Sequence, residues 1–332
     1  MHTVTMDTLP FPASSVSGRT PARSVSVIIP TFRRPQGLAL AMNSVVAQTG
    51  MDDVNLSLII CDNSPEASAR AQVAAFAATA PIAVAYVHEP KTGVANARNT
   101  AVAAAHSDFI AFLDDDEEAP MAWLSALLAT QTRFDADVVF GPVAARLMDD
   151  GVQYPHYFEA FFSRKGPDAS QAIDVYYGCG NSLIRRAVMP ANKPFCTEHN
   201  DMGGEDDKLF YGLKAKGVRM AWSAEATVFE DVPPSRSTLN YTLRRAFAYG
   251  QGPSFSAALG HKPLTCLGWM LQGVVQGLLF SAIGGALYLM GSRDSAPRLD
   301  KAARGFGKLM WFPPFKIGFY GQALLRANAP GR

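Results

Sequence analysis

Five consecutive acidic residues are the feature of the sequence best suited to chemistry. The run 114–118, DDDEE, directly follows the apolar segment 109–113. Neighbouring carboxylates repel one another unless a cation or hydrogen-bond donors compensate their charge. Hard divalent cations such as Mg²⁺ take one or two carboxylates together with phosphate oxygens. The run therefore predicts either a site for a metal–phosphate complex or a solvated acidic turn at a helix start.

A second acidic group lies far downstream, in the sequence GGEDD at 203–207. Apolar residues with helical spacing follow it at Leu209, Phe210 and Leu213, so the acids stand where a helix should begin. Acidic residues are common there as caps. A glycine pair before three acids, however, favours a flexible approach to a substrate. One acid is then suited to act as a general base and its neighbour to position an acceptor.

Two smaller patterns carry polar groups with a backbone that can come close to a ligand. In the segment 176–182, YYGCGNS, two glycines flank Cys179, and Asn181 offers both donors and acceptors. The alternative there is a tight connection between a strand and a helix. In the segment 93–99, GVANARN, Arg98 lies one turn into a predicted helix, where phosphate binds favourably. The alternative is an ordinary surface arginine.

The sequence also predicts the scaffold that must position these groups. Short apolar strands alternate with amphipathic or alanine-rich helices. This alternation is typical of an α/β fold with a mainly parallel sheet and helices on both faces. The predicted strands are 24–29, 56–61, 82–87 and 109–113, and the predicted helices are 35–48, 67–79 and 93–105.

Ligands of such sheets bind at the carboxyl ends of the strands. Polar clusters follow three of the predicted strands, at 30–34, 62–64 and 114–118. We therefore expect three separate segments of the chain to converge on one crevice.

Composition narrows the class of protein. The 332 residues are 48% hydrophobic and 18% charged, which excludes a disordered chain, and the net charge of +1 argues against a nucleic-acid binder. The four cysteines lack the paired spacing of a zinc site. The segment 1–23 is rich in Ser, Thr and Pro without an apolar core, so we expect a disordered leader rather than a signal peptide. The mean hydropathy of +0.04 is high for a soluble enzyme.

The excess hydropathy lies near the C-terminus. The segment 264–292 contains no charged residue and would form a helix about 40 Å long, and a basic tail follows it. This pattern favours membrane association over a buried helical hairpin. One arrangement pairs 264–290 with 309–325 as a hairpin in the membrane. Another lays interfacial helices on it, with Lys301, Arg304 and Lys308 facing anionic lipid and with aromatic residues in the interface; those residues are Trp311, Phe312, Phe315, Phe319 and Tyr320.

Taken together, these segments resemble the family 2 glycosyltransferases of the GT-A fold. The matching elements, in the order that the family has them, are 25–33, 60–64, 93–99, 114–116 and 204–206. Further segments look like the succinoglycan-type exopolysaccharide glucosyltransferases; they are 109–117, 141–143, 203–206 and 241–251.

The resemblance implies a donor site for a UDP-sugar. Pro30, Thr31 and Phe32 would line the pocket for the nucleotide base. Asp62 would accept a hydrogen bond from the uracil ring, and Arg98 would lie against the base or the pyrophosphate.

The acidic run completes this implied donor site. Asp114 would contact the ribose, and Asp115 would support its neighbours. Asp116 would bind Mg²⁺ or Mn²⁺ between the two phosphates.

The same resemblance implies an acceptor site. Asp206 would be the catalytic base, and Glu205 would orient the acceptor. Gly180 and Asn181 would border the acceptor sugar. The implied reaction is an inverting, metal-dependent transfer of a hexose, glucose in the resembled enzymes, to a lipid-linked glycan. It would take place at the cytoplasmic face of a bacterial inner membrane, in exopolysaccharide or cell-surface polysaccharide synthesis.

The sequence departs from processive family members, which carry a Gln-x-x-Arg-Trp motif. The segment 243–251 reads LRRAFAYGQ, without the tryptophan, which favours addition of a single sugar. Arg244 and Arg245 are candidates to reach the pyrophosphate, and the alternative is a basic surface helix.

The predicted domains are the leader at 1–23, a GT-A domain at 24–235 and a helical, membrane-associated region at 236–332. A nucleotidyltransferase is a rival interpretation, but a glycine- and arginine-rich phosphate loop is missing after the first strand. A membrane scaffold that kept a nucleotide pocket and lost catalysis is another.

Overall fold

A computed structural model describes residues 23–199 and 204–317 of the chain. Most of the predicted leader, Gly203 of the second acidic group and the tail beyond residue 317, including Phe319 and Tyr320, lie outside the described residues. The strands are β1 Arg23–Thr31, β2 Val54–Asp62, β3 Ala83–His88, β4 Phe109–Phe112, β5 Glu117–Glu118, β6 Val138–Phe140, β7 Val143–Leu147, β8 Gln171–Ile173, β9 Ser182–Arg185, β10 Met220–Trp222 and β11 Val228–Val232.

Helices alternate with the first strands, as the sequence predicts, and dominate the C-terminal part. They are α1 Pro35–Val46, α2 Arg70–Ala77, α3 Val94–Ala104, α4 Trp123–Phe134, α5 Pro155–Phe162, α6 Glu205–Ala215, α7 Leu239–Leu259, α8 Pro263–Leu289 and α9 Ser295–Leu309.

The main sheet has eight strands in the order β3-β2-β1-β4-β9-β6-β10-β8. Strands β3, β2, β1 and β4 are parallel, β9 runs antiparallel between β4 and β6, and β6 pairs with β10 in parallel. Strands β1 and β2 are buried along most of their length, which suits strands that are covered on both faces. The expected α/β class with a mainly parallel sheet is therefore confirmed.

Two apolar cores cover the two faces of this sheet, and β1 contributes to both. Val27 and Ile29 lie in one core with residues of α1, such as Leu38. Ile28 points to the other core, which holds residues of α3 and Phe210 of α6. The alternation follows from the two-residue period of a strand. It fixes which helices flank the carboxyl ends of β1, β2 and β4, where the polar clusters begin.

The chain divides into two compact units, and β7 and β11 are the strands at which it passes from one to the other. The first contains the main sheet. The second comprises 145–163 and 231–317, with helices α5, α7, α8 and α9. Helix α9 packs along both α7 and α8. Glycines permit the close approach of α8 and α9, since a Cβ on Gly273 would lie 2.6 Å from the carbonyl oxygen of Gly305.

Candidate active site

The acidic run closes the carboxyl end of β4 and reaches across to the end of β1. Asp115 is buried and accepts hydrogen bonds from Thr31 Oγ1 at 2.8 Å, the Phe32 amide at 3.3 Å and Arg34 Nη1 at 2.9 Å. Burial raises the pKa of Asp115 to about 6 in spite of the nearby arginine. The expected convergence of these two segments is therefore present in the structure.

The flanking acids differ in exposure. The Asp116 side chain is 20% exposed and accepts a 2.6 Å hydrogen bond from Arg34 Nη1. Glu117 is buried, accepts a hydrogen bond from the Asp114 amide at 2.9 Å, and has a pKa raised well above its ordinary range by burial. The sequence pattern did not single out Arg34 as the cation that compensates the run, although it lies within the polar cluster 30–34.

Arg98 joins the acidic run to the second acidic group. Its Nη2 donates to Asp114 Oδ1 at 3.2 Å, and its Nη1 donates to Glu205. The guanidinium also lies 5.7 Å from the ring centre of Phe195. Its Nε is buried and has no hydrogen-bond partner among the described residues. Arg98 is therefore a buried cation between two acidic sites rather than a surface arginine.

Glu205 and Asp206 begin α6, where the sequence predicts a helix start. Gly204 precedes them with a φ of 82°, a left-handed conformation that glycine adopts without strain. Burial raises the pKa of Glu205, against the attraction of Arg98. Asp206 is partly exposed, and its Oδ2 accepts a 2.8 Å hydrogen bond from the Cys179 amide. The two acids therefore face different partners.

The Gly178–Cys179–Gly180 turn lies between the two acidic sites. A Cβ on Gly180 would lie 2.6 Å from Asp114 Oδ2, so any larger residue here would have to displace the Asp114 carboxylate. Arg164 donates to the carbonyl oxygens of Gly178 at 2.7 Å, Gly141 at 3.1 Å and also Gly180. No sequence motif surrounds Arg164, so its role could not be predicted from its neighbours in the chain. The glycine pair was the one available signal.

The side chain of Asn181 supports the core instead of bordering an acceptor. It is 0% exposed, and its Oδ1 accepts a 2.7 Å hydrogen bond from Trp123 Nε1. Its Nδ2 donates to the carbonyl oxygens of Pro142 at 2.6 Å and Ala226 at 2.7 Å. With these groups engaged, we do not retain the predicted contact between this side chain and a sugar. Gly180 stays a candidate.

Asp62 is likewise 0% exposed, and its carboxylate anchors the loop that follows β2. It accepts hydrogen bonds from the amide and hydroxyl of Ser64, the Ala69 amide and the Tyr86 hydroxyl. A uracil ring would have to replace one of these donors, so the predicted contact with the base stays a prediction. Pro30 is buried at the neighbouring end of β1.

Arg244 and Arg245 lie on α7, in the second unit. Arg244 is exposed, and Arg245 donates to the hydroxyls of Tyr249 at 2.6 Å and Tyr241 at 3.3 Å. Their contact with a pyrophosphate stays a prediction.

The donor set near the acidic run fits a cation that is shared with phosphate. Among residues 23–199 and 204–317, no group of three or more His, Cys, Asp or Glu side chains could hold a metal ion by itself. Asp116 is a partly exposed carboxylate, and Mg²⁺ is commonly bound by one or two carboxylates plus phosphate oxygens and water. Such a cation would therefore depend on a bound diphosphate.

Comparison with known proteins decides the family. Residues 26–190 match the model of glycosyl transferase family 2. The succinoglycan biosynthesis protein ExoM of Rhizobium meliloti is 34% identical over 229 residues, which cover 68% of this chain and 73% of ExoM. The chain belongs to glycosyl transferase family 2. It is a glycosyltransferase with the expected GT-A fold, and this membership decides against a nucleotidyltransferase.

Other similar proteins match less closely or over shorter stretches. The family 2 chain is 32% identical to WfgD of Escherichia coli, named as a UDP-Glc:alpha-D-GlcNAc-diphosphoundecaprenol beta-1,3-glucosyltransferase, over 32% of this chain and 39% of WfgD. The crystal structure of S. aureus TarS 1–349 in complex with UDP matches 86% of this chain and 90% of that chain, with 16% identity and a TM-score of 0.49.

Proposed function

We propose that this family 2 glycosyltransferase moves glucose from a UDP-sugar to a lipid-linked glycan, with inversion at the anomeric carbon. The product would serve bacterial exopolysaccharide or cell-surface polysaccharide synthesis. Similarity to a succinoglycan biosynthesis protein supports the pathway class. The name of WfgD, which pairs UDP-glucose with a diphosphoundecaprenol-linked sugar, supports the donor and acceptor classes.

The double contact of Arg98 carries the proposal. One buried guanidinium binds Asp114 of the proposed donor site and Glu205 of the proposed acceptor site. Transfer requires a donor and an acceptor to meet in one place, with reacting atoms about 3–3.5 Å apart. A shared cation brings the two acidic sites to within a side chain of each other.

On the donor side, the end of β1 would hold the base through Pro30, Thr31 and Phe32, and Asp114 would bind the ribose. Negative charge develops on the diphosphate as the bond between its oxygen and the anomeric carbon breaks. Arg98 lies beside the donor acids and would stabilise that charge, which a fixed, buried cation does without reorganisation.

Asp116 would hold Mg²⁺ or Mn²⁺ together with phosphate oxygens and water. When bound, such a cation supplies further stabilisation of charge on the diphosphate. Asp115 would support its neighbours through Thr31 and Arg34.

On the acceptor side, Asp206 would act as the general base. The acceptor hydroxyl oxygen attacks the anomeric carbon from the face opposite to UDP, and its proton passes to the Asp206 carboxylate. Glu205, at the same helix start, would orient the acceptor, and the backbone at Gly180 would border it. A single displacement of this kind inverts the anomeric configuration.

The test uses purified enzyme with Mn²⁺ and a panel of UDP-sugars, followed by proton NMR of the product. We expect UDP-glucose to be used and the anomeric configuration to be inverted. Asp206→Asn should lower kcat by about 10²- to 10⁴-fold. Its matched control is Asp207→Asn, which changes the exposed neighbour on α6 and should leave kcat near that of the wild type. A product with retained configuration, or full activity of Asp206→Asn, would contradict the mechanism.

We also propose that the second unit binds the cytoplasmic surface of the bacterial inner membrane. Helix α8 is the one described helix long and apolar enough to cross a bilayer, and only 17% of its apolar window is buried. Its exposed face carries large aliphatic side chains at helical spacing, and α9 covers the opposite, glycine-containing face. The exposed residues are Leu264, Leu267, Leu271, Val275, Leu278 and Leu279.

The contacts of α9 favour a helix pair that lies in the membrane plane. Five of the fifteen residues of α9 are charged. Lys308 Nζ donates to Gln276 Oε1 at 2.7 Å, and Gln276 Nε2 donates to the Lys301 carbonyl at 2.8 Å, close to the midpoint of α8. A spanning α8 would carry these lysines toward the bilayer centre, where each charge costs several kcal/mol. In the plane, they face anionic headgroups while the leucines enter the acyl layer.

Flotation with phosphatidylglycerol vesicles tests this placement. Leu271→Glu and Leu278→Glu should reduce binding at least tenfold, whereas Leu40→Glu on α1, an exposed leucine of the first unit, should not.

In a cysteine-free background, Ser292→Cys should react with an impermeant maleimide from the cytoplasmic side only. Labelling from the opposite side would show a spanning helix. A change from dimer to monomer in Leu271→Glu, with vesicle binding intact, would assign the face to self-association.

A further inference from the structure

Arg164 uses its side-chain donors on backbone carbonyls, although carboxylates surround it. Its donors meet the carbonyl oxygens of Gly141, Gly178 and Gly180. Asp114, Glu117 and Asp206 all act electrostatically on the same guanidinium. An arginine with carboxylates nearby would ordinarily bind one of them in a bidentate pair. Here the planar fork of five donors is used to fix a turn of the chain.

The backbone of the 178–180 turn binds Arg164 through its carbonyl oxygens and Asp206 through an amide. The carbonyls of Gly178 and Gly180 point to the guanidinium, and the amide of Cys179 between them donates to Asp206 Oδ2 at 2.8 Å. A Cβ on Gly178 would lie 3.3 Å from Arg164 Nη1 and 3.5 Å from Asp206 Oδ2. A rotation of the turn that broke the carbonyl bonds would therefore also turn the Cys179 amide away from Asp206.

The backbone of Arg164 gives the guanidinium a fixed base. Its amide donates to the Val143 carbonyl at 2.8 Å, and the Val143 amide donates back to its carbonyl at 3.0 Å. A side chain that starts from a bridged strand residue and ends on several carbonyls has little freedom to move. Functional groups are held accurately when the groups that support them are themselves locked.

We propose that Arg164 is a positioning residue for sugar transfer. It holds the 178–180 turn so that the Cys179 amide fixes Oδ2 of Asp206, and Oδ1 is then presented to the acceptor hydroxyl. The inference rests on the proposed role of Asp206 as the base. A lysine keeps the charge but not the planar fork, so it satisfies fewer of the carbonyls.

The first test is Arg164→Lys in the full-length enzyme. We expect kcat to fall by about 10- to 100-fold, since a small displacement of a catalytic group has effects of this size. The affinity for UDP and the KM for the UDP-sugar should stay within about twofold. The matched control is Arg185→Lys, which changes an arginine of the same unit at the end of β9 that pairs with Asp137. A similar loss of kcat in both variants, or a loss confined to the donor KM, would overturn the proposal.

A double-mutant cycle separates positioning from a general loss of structure. Residues that act as a unit show strongly non-additive effects. In the Asp206→Asn background, Arg164→Lys should therefore change kcat by less than about twofold. If the two losses multiply in full, Arg164 does not act through Asp206. If Asp206→Asn alone leaves kcat unchanged, the base assignment in the proposed function fails instead, and the cycle distinguishes the two cases.

Gly178→Ala provides a second variant in case Arg164→Lys does not fold. It perturbs the same link from the other side, through a Cβ close to both Arg164 Nη1 and Asp206 Oδ2. We expect a lower kcat with an unchanged affinity for UDP, and again no further loss in the Asp206→Asn background. Wild-type kcat in a folded Gly178→Ala variant would contradict the proposal.

Discussion

Arg98 and Glu205, 107 residues apart in the chain, form an ion pair in which each side chain is only 7% exposed. Removing two charges from water is costly, and the attraction between them offsets that cost only when the geometry is good and further hydrogen bonds are made. Arg98 meets this condition by also binding Asp114. A buried pair of this kind is rarely needed for stability alone, which is consistent with a role for both residues in binding charged substrates.

Removal of the cation should destabilise the first unit strongly. Arg98→Met leaves Glu205 buried without its partner, and breaking a buried pair from one side costs about 3–5 kcal/mol. We expect a loss of about 3 kcal/mol in the free energy of unfolding at pH 7, measured with urea. The control is Arg33→Met, which breaks an exposed pair with Glu66 and should have a much smaller effect. Equal losses in the two variants would show that burial does not govern this pair.

The same variant should show a characteristic dependence on pH. Burial raises the pKa of Glu205 in the folded state, against the attraction of Arg98. A carboxyl group of this kind contributes fully to the free energy of unfolding below its unfolded pKa of about 4.3. That contribution is lost as the pH rises through the folded pKa, because the buried group then ionises. Arg98→Met removes the attraction and raises that pKa further. We therefore expect the stability deficit of Arg98→Met to grow between pH 4 and pH 7.

Urea unfolding at four pH values across that range measures the slope. Adding Glu205→Gln to Arg98→Met removes the titrating carboxylate, so the double variant should show a flatter dependence. If the stability deficit of Arg98→Met instead shrinks as the pH rises, the pKa of Glu205 is not raised in the folded state and the prediction is wrong.

The scaffold was largely predictable because its signals are local. The predicted strand 24–29 corresponds to Arg23–Thr31, and the predicted helix 35–48 corresponds to Pro35–Val46. Apolar runs and helical spacing are properties of a few neighbouring residues. The order of the strands then brought the polar clusters together, as expected for the carboxyl ends of parallel strands.

The pairings within the site were less predictable. Arg34 binds Asp116 across 82 residues, and Arg164 reaches the Gly178 carbonyl with no sequence motif to mark it. Such contacts depend on how strands and turns assemble, which a single sequence does not encode in its spacing. The polar group of Asn181 suggested a ligand, but a buried amide is equally suited to satisfy backbone groups in the core.

Asn181→Ala should therefore act on stability rather than on acceptor binding. The substitution leaves Trp123 Nε1 and two buried carbonyls without their partner, and each unsatisfied buried group costs about 1–3 kcal/mol. The φ of 50° at this position also disfavours alanine. We expect a loss of about 3 kcal/mol or more by urea unfolding, with an unchanged acceptor KM for the folded fraction. Asn43→Ala, on the exposed side of α1, is the control. A raised acceptor KM without a loss of stability would restore the original prediction.

The glycines at the contact between α8 and α9 should be more sensitive to substitution than glycines elsewhere on these two helices. A Cβ on Gly305 would lie 2.5 Å from the Gly277 amide nitrogen, so Gly305→Ala forces the helices apart and should cost about 1–3 kcal/mol. Gly268→Ala on α8 meets nothing within 4 Å and should instead add up to about 1 kcal/mol, because alanine favours the helix. Thermal unfolding in the presence of phosphatidylglycerol vesicles compares the two variants.

Since the proposed membrane surface requires α9 to stay packed on α8, Gly305→Ala should also weaken vesicle binding while Gly268→Ala should not. Destabilisation by both alanines to the same degree would show that helix propensity or the lipid contact, rather than the contact between the helices, controls this pair.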